Sequence, residues 1–256
     1  MNKATVITYH GLGDCLPARD PYRMFMPIAR FEAHLDFLAR RRTVVPLDAV
    51  VDGRIPSGRP AVAITFDDGY RSVLEEAVPR LRRHGFPATC FVPTKWIGER
   101  NVWDTFDDDA CALPIMSDDE LVNIRRAGVE VGSHGHAHCH LGELGEDEVH
   151  ADAVASMDRL TELLGARPRY LAYPYGSQSE PARRAVARAG FEAAFSIGQR
   201  AEGPFGRERV TIRRADPLGL YAFKTTGRFL TWRNSRGGAL AFSVMRAAVH
   251  KRRNRT

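Results

Sequence analysis

At 256 residues, with 44% hydrophobic and 27% charged residues, the chain has the composition of a globular protein large enough for one full core, which excludes wholesale disorder. Its formal charge of +6 rests on arginine, 33 of the 37 basic residues, and these are scattered instead of gathered into a stripe with aromatics, so nucleic acid is not an expected partner. Cys15, Cys90, Cys111 and Cys139 are far apart with no CxxC pair, and read as reduced thiols and not as a disulfide framework or a structural zinc site.

In chain order, short β-rich runs alternate with helical patterns. Strands are expected at 5–9 (TVITY), 62–66 (VAITF), 88–92 (ATCFV), 129–133 (VEVGS), 170–174 (YLAYP), 192–197 (EAAFSI) and 210–213 (VTIR), with a shorter one at 43–47 (TVVPL). The first helix buries Phe31, Leu35 and Leu38, and the second repeats that spacing with Leu74, Val78 and Leu81. A third opens with Ser117 and Glu120 at capping-box spacing, and a fourth turns Val149, Ala153, Leu160 and Leu164 inward. Three helices run into the next strand through the same junction, at Gly85, Gly128 and Gly190, where glycine serves as left-handed terminator. Strand–helix alternation with apolar strands predicts a single α/β domain built on a mostly parallel sheet, barrel or doubly wound. Since no GxGxxG or GxxxxGK[ST] follows a strand, the nucleotide-binding versions lose support. No boundary is expected before about residue 225. Residues 226–256 read as a basic tail, partly helical (around 239–250) or disordered, with a terminal HKRRNR that could touch anionic lipid.

In a parallel α/β barrel, reactive groups gather where strands end and loops begin. Here the strand ends carry His10, the pair Asp67-Asp68, the run SHGHAHCH, YPYG and IRRAD. His134 and His138 are four apart and can face one ion. A carboxylate from another strand, Asp68, completes a two-histidine, one-carboxylate set with open positions. Zinc suits it first, and cobalt, nickel or manganese fit the same ligands. A bound cation relieves the repulsion between adjacent carboxylates. Asp67 is then left beside the ion to take a proton from the attacking water, and Gly69 lets the chain turn sharply after both. His136 and His140 share the same spacing and receive no role. His10 reads equally as a site residue or as a structural histidine, and the acidic loop 104–110 as solvated, with Asp104 able to approach the site.

ITFDDGY, GSHGHAHCHL and YLAYPYG, with the TYH opening, FEAHLDFL, PATCFVP and the Trp103-Asp104 pair, resemble the polysaccharide deacetylases of carbohydrate esterase family 4, the NodB-homology domain, over about residues 4–215. The resemblance implies a distorted parallel (β/α) barrel of about seven strands in residues 1–225. It implies a hydrolase that removes N-acetyl, sometimes O-acetyl, groups from glycans with one divalent metal. By position, Asp67 corresponds to the general base and Asp68, His134 and His138 to the ligands. The backbone N–H of Tyr175 corresponds to an oxyanion donor. Two positions depart from the family. Ala172 stands where a base-orienting arginine is usual; Arg213 or Arg214 is proposed instead, Arg169 being expected to point away. The last strand ends in TIRRADP where the family carries a general-acid histidine, and the only histidine after His150 is His250 in the basic tail, so either the proton comes from His10, protonated Asp67 or the metal-bound water, or turnover is slow. Tyr173 and Tyr175 read as rim aromatics able to stack on a sugar.

The expected partner is therefore an acetylated glycan or amino sugar. The N-terminus has no apolar run of signal-peptide length and nothing reaches membrane-spanning length, so the cytoplasm is the default compartment. With the basic tail, this suits a second reading, a deacylase or deformylase of a lipid-linked sugar at the inner membrane face. A third is a degenerate glycan-binding homologue with weak turnover.

Overall fold

The fold follows from strands buried on both faces. In a computed structural model that describes residues 4–14, 20, 23–103, 112–198, 201–235 and 237–238, the chain runs β1 (Thr5–Tyr9), α1 (Ile28–Arg41), β2 (Thr43–Val44), α2 (Leu47–Val51), β3 (Ala61–Phe66), α3 (Val78–His84), β4 (Ala88–Val92), α4 (Asp118–Arg126), β5 (Val129–Ser133), α5 (Glu146–Leu164), β6 (Tyr170–Ala172), α6 (Glu180–Arg188), β7 (Ala193–Ile197), β8 (Arg207–Thr211), α7 (Leu218–Lys224) and α8 (Arg228–Arg233). All pairings are parallel. The order β1-β8-β7-β6-β5-β4-β3 closes through a β1–β3 pairing into a seven-strand barrel, and β2 pairs with the start of β3. The expected barrel is what forms.

Side-chain alternation divides each strand between barrel interior and helix layer. Val6, Ala63, Phe91, Tyr170, Ala172, Ala193 and Phe195 pack together inside. Ile7, Ile64, Cys90, Val131 and Val210 belong to the core under the helices, and Leu171 and Ala194 to a second cluster with α5 and α6. The barrel is thinnest at β5–β6, where one pair, Ser133 and Leu171, is in register.

Local sequence signals explain the helix boundaries. The Ser117–Glu120 capping box forms reciprocally, at 3.4 and 2.8 Å. Gly85, Gly128 and Gly190 all take positive φ at the helix-to-strand junctions. The second predicted helix differs. Its first turn, Val73–Ala77, is a π-helix, and Pro79 stands at the start of α3. Proline has no N–H to give and crowds the preceding turn, which favours this widening. A π turn places the residue five before Val78 beneath it, so Val73 is fully buried and the expected Leu74 is half-buried. The predicted strand at 210–213 also begins earlier, at Arg207, because charged residues inside it masked its start.

α7 and α8 follow the barrel. Phe229 of α8 is buried, with its ring 5.7 Å from Phe223, so packed structure continues past residue 225 into the expected tail. The tail helix expected at 239–250, Cys15, Cys111 and Asp104 lie outside the described residues. Among those described, no helix is long and apolar enough to cross a membrane. α7 is anchored by Tyr221, whose ring stacks on His34 of α1 at 3.8 Å and 4°. The Tyr9 hydroxyl lies 3.1 Å from His34 Nδ1 and donates to the Tyr221 hydroxyl at 3.2 Å.

Burial of His34, with the nearby positive charges of Arg30 and Lys224, lowers its pKa to about 4. In the unfolded chain it titrates near about 6.5, so the unfolded state takes up the proton first and stability falls as pH drops from about 6.5 to about 4. The full shift corresponds to roughly 3 kcal/mol. The expected outcome is a melting temperature that falls more steeply across this window in the parent protein than in His34→Gln. Parallel pH profiles would remove His34 as the cause.

Candidate active site

The inward register of three strands delivers polar groups to one end of the barrel. On β3 the inward series Ala63, Thr65 continues to Asp67, whose backbone N–H donates to the Tyr9 carbonyl at 3.0 Å. On β8 the same alternation places Arg209 inside. Its guanidinium grips Asp67 as a fork, Nη1 to Oδ1 at 2.7 Å and Nη2 to Oδ2 at 2.8 Å, and Nη1 also lies 3.3 Å from Thr8 Oγ1 and 3.1 Å from Thr65 Oγ1. The pair is sealed, with Arg209 at 0% and Asp67 at 2% exposure. Burial pushes the Asp67 carboxyl upward. The Arg209 charge, with His134 and His10, outweighs it and holds the group below the usual carboxylate value.

Asp68 turns the other way. It adopts φ 71°, a left-handed conformation unusual outside glycine, and Gly69 follows at φ 69°, where a Cβ would lie 3.1 Å from Val92. This reversal sends Asp68 Oδ1 to within 3.4 Å of His134 Nε2 and 3.2 Å of His138 Nε2. Burial raises the Asp68 carboxyl, but the two imidazoles and His10 bring it well below the ordinary value. His134 follows β5 directly. Its Nδ1–H donates to the Ala172 carbonyl at 2.7 Å across the thin β5–β6 seam, which turns Nε2 toward Asp68. His138 comes from the loop after β5 with φ 58°. Its pKa is lowered, chiefly by burial. One ligand atom from each of Asp68, His134 and His138 lies within 4.8 Å of the others, and all three residues are buried.

Backbone strain concentrates here. Of four non-glycine residues with positive φ among those described, three are Asp68, His138 and Tyr175, each costing roughly 1–3 kcal/mol unless its surroundings enforce it. Tyr175 forms the rim. It is 42% exposed and stacks on His140 at 4.1 Å and 10°, while its ring centre is 4.9 Å from that of His138. Trp103 covers His138 from another side at 4.2 Å. His10 closes the end of β1, 7% exposed, its Nδ1 buried without a hydrogen bond among the described residues.

The structure brings together Asp67, Asp68, His134 and His138, with His10 and Tyr175 around them. It does not bring Arg213 there. Arg213 is exposed, and its backbone N–H serves Asp216 at 2.8 Å. Arg214 faces Asp14 at 3.9 Å, and Arg169 pairs with Glu192 away from the site. The arginine beside Asp67 is Arg209, which the sequence reading missed. Placing the last strand two to three residues early turns it from a loop position into an inward one. Tyr173 also differs from expectation: it is fully buried, donates its hydroxyl to the Phe205 carbonyl at 3.0 Å, and offers no face to a sugar. His136, given no role, bonds Thr94 Oγ1 at 2.9 Å.

The fold has counterparts. The described neighbours include the Streptococcus pyogenes deacetylase PplD solved with acetate, at TM-score 0.73 and 17% identity, covering 88% of this chain and 98% of that one. IcaB from Ammonifex degensii aligns at TM-score 0.71 and 22% identity, with the same coverage. These likenesses establish the fold. In sequence, YxkH of Bacillus subtilis, by name a polysaccharide deacetylase, is 23% identical over 82% of this chain and 71% of its own length. A Staphylococcus aureus poly-β-1,6-N-acetyl-D-glucosamine N-deacetylase is 27% identical over 59% of this chain, which spans about half (52%) of that relative. The family model for polysaccharide deacetylases matches residues 54–194, more than half of the 256, from before the paired aspartates to beyond Tyr175, and the chain belongs to that family of hydrolases acting on carbon–nitrogen bonds.

Proposed function

We propose that the protein is a metal-dependent deacetylase that removes the N-acetyl group from amino-sugar units of a glycan. One observation carries this reading: a preformed Asp-His-His set stands next to a second carboxylate that has its own counter-ion. The donor set fits a divalent cation, since the three ligand atoms already converge and the His134 tautomer is set by Ala172. Asp68, His134 and His138 would hold it, with zinc, cobalt, nickel or manganese matching the donors. Such an ion supplies Lewis-acid polarisation of the acyl oxygen and acidifies a neighbouring water.

The remaining chemistry falls to this chain's side chains. Asp67 is ionised and cannot rotate away, because both of its oxygens are engaged by Arg209; it accepts the proton of the attacking water. His10, at the end of the neighbouring strand and without a bond at Nδ1, donates to the departing amine. The backbone N–H of Tyr175 corresponds to the family's oxyanion donor, and the Tyr175–His140 face suits the apolar side of a pyranose. The staphylococcal relative's name supports a polymer of N-acetylglucosamine as the substrate class.

Three outcomes are expected. Asp67→Asn should bind metal as the parent does yet lose about 10²–10⁴ in kcat for acetate release from N-acetylglucosamine oligomers. A mutant with parental rate would remove Asp67 as base. His10→Gln should suffer a similar loss on these amides while still cleaving an activated aryl acetate, whose leaving group needs no proton. Equal losses on both substrates would exclude His10 as the acid. Arg209→Met strands a buried carboxylate, a change worth about 3–5 kcal/mol of stability. Arg209→Lys, which keeps the charge without the fork, should fall between the two in melting temperature and kcat. An Arg209→Met enzyme of undiminished kcat would show that the base needs no such clamp.

A further inference from the structure

The two histidines of the proposed metal set are held in different ways. The His134 ring is tethered at Nδ1 to the Ala172 carbonyl, whereas His138 Nδ1 is buried and makes no hydrogen bond among the described residues. With no bond behind it at Nδ1, the His138 ring depends on the rings of Trp103 and Tyr175 packed against it and on the course of its own backbone, which sits at φ 58°.

That backbone is gripped from α5. Both oxygens of Asp152 accept from consecutive amides of the ligand loop, Oδ1 from His136 N–H and Oδ2 from Ala137 N–H, each at 2.8 Å. One turn further along the same helix, the hydroxyl of fully buried Ser156 is 2.7 Å from Ser133 Oγ, which accepts the Gly135 N–H at 3.1 Å. The carboxylate lies so close that a Cβ at Gly135 would stand 2.9 Å from Asp152 Oδ1. The loop's outward carbonyls are answered from the segment after β4: Thr94 N–H and Lys95 N–H donate to Gly135 and His136 carbonyls at 3.2 and 3.0 Å, and Trp96 Nε1 donates to the Ala137 carbonyl at 3.2 Å. The amides of residues 136 and 137 are thus fixed directly from α5, that of 135 by Ser133 of β5 with Ser156 of α5 behind it, and their carbonyls by one segment.

We propose that Asp152, with Ser156, is a positioning residue for the metal site: it sets the turn that aims His138, without touching ion or substrate. This rests on the metal reading given above. A charged acceptor taking two amides is stronger than neutral ones and directional. Asparagine at 152 would present an NH₂ to one of the two amides, so one bond is lost and one contact becomes repulsive.

The test is zinc titration by calorimetry into chelator-stripped protein, beside the melting temperature of the stripped form and the visible spectrum of the cobalt form. Asp152→Asn is expected to weaken zinc binding about 10–100-fold, the range seen when groups behind metal ligands are removed. Its cobalt spectrum should change, and activity should return at saturating zinc. The melting temperature of the stripped protein should move little. Unchanged zinc affinity and cobalt spectrum in Asp152→Asn would overturn the proposal. Should that variant fail to fold, Ser156→Ala carries the same expectation of weakened binding, and parental affinity there would overturn it equally. A parent protein that takes up no zinc would instead sink the metal reading, and His134→Ala supplies the signature of a destroyed site for comparison.

Discussion

The fork between Arg209 and Asp67 is the constraint around which the barrel is arranged. A guanidinium at 0% exposure loses its hydration, and such a charge is tolerable only beside an opposite charge and enough acceptors. Here the donor and its acceptors come from three strands: Arg209 lies on β8, and its acceptors are Thr8 on β1 and Thr65 and Asp67 on β3 or at its end. These are the strands that meet where the barrel closes. β1 pairs with β3 over five residues and with β8 over two, so the ion pair spans the closure from inside. The interaction that orients the proposed base thus also links the strands that close the sheet.

The same constraint resolves the presence of two aspartates in succession. Along a strand, neighbouring side chains point to opposite faces, so adjacency in sequence need not mean adjacency of charge. Asp67 completes the inward register and meets Arg209. Asp68 leaves the strand through a left-handed residue and meets two imidazoles. Each carboxylate has its own electrostatic partner, and both are held below the usual carboxylate range despite burial. In the proposed mechanism this separation gives one carboxylate to binding and leaves the other for proton transfer.

Much of this was legible in the sequence, for definable reasons. Asp67, Asp68, His134 and His138 follow apolar strands, and strand ends are readable from hydrophobic runs; the alternation of elements pointed to a parallel sheet, barrel or doubly wound, and only the family resemblance singled out the barrel. Arg209 was not legible because burial of an arginine depends on a partner 142 positions away. Arg207 and Arg209 made the start of β8 look like a loop, and Arg213, at the apparent strand end, took its place. Tyr173 misled for the opposite reason. An aromatic in a motif invites a ligand role, but its neighbours bury it under Phe205, and only Tyr175, turned by a positive φ, reaches the rim. The π turn before α3 is a subtler case: one extra residue per turn moves burial from Leu74 to Val73, a shift no 3.6-residue periodicity anticipates.

The departures from the family pattern acquire a common physical cause once the sheet is closed. In a linear reading, residue 10 and residues 207–213 stand at opposite ends of the chain. In the barrel, β1 and β8 are hydrogen-bonded neighbours, Ile7 beside Val210 and Thr8 beside Thr211. Ala172 cannot supply an arginine from β6, but an inward position on β8 faces the same carboxylate across the lumen. The only histidine after β8 in the sequence is His250, close to the C-terminus, yet His10 follows the strand alongside it. Side chains in a barrel this narrow reach its axis from several strands, so geometry constrains the position of a functional group more tightly than it constrains the strand that provides it. On this view the proposed base clamp and proton donor are the same parts approached from different strands. In the proposed mechanism the proton donor therefore stands at the end of β1, the strand hydrogen-bonded to β8.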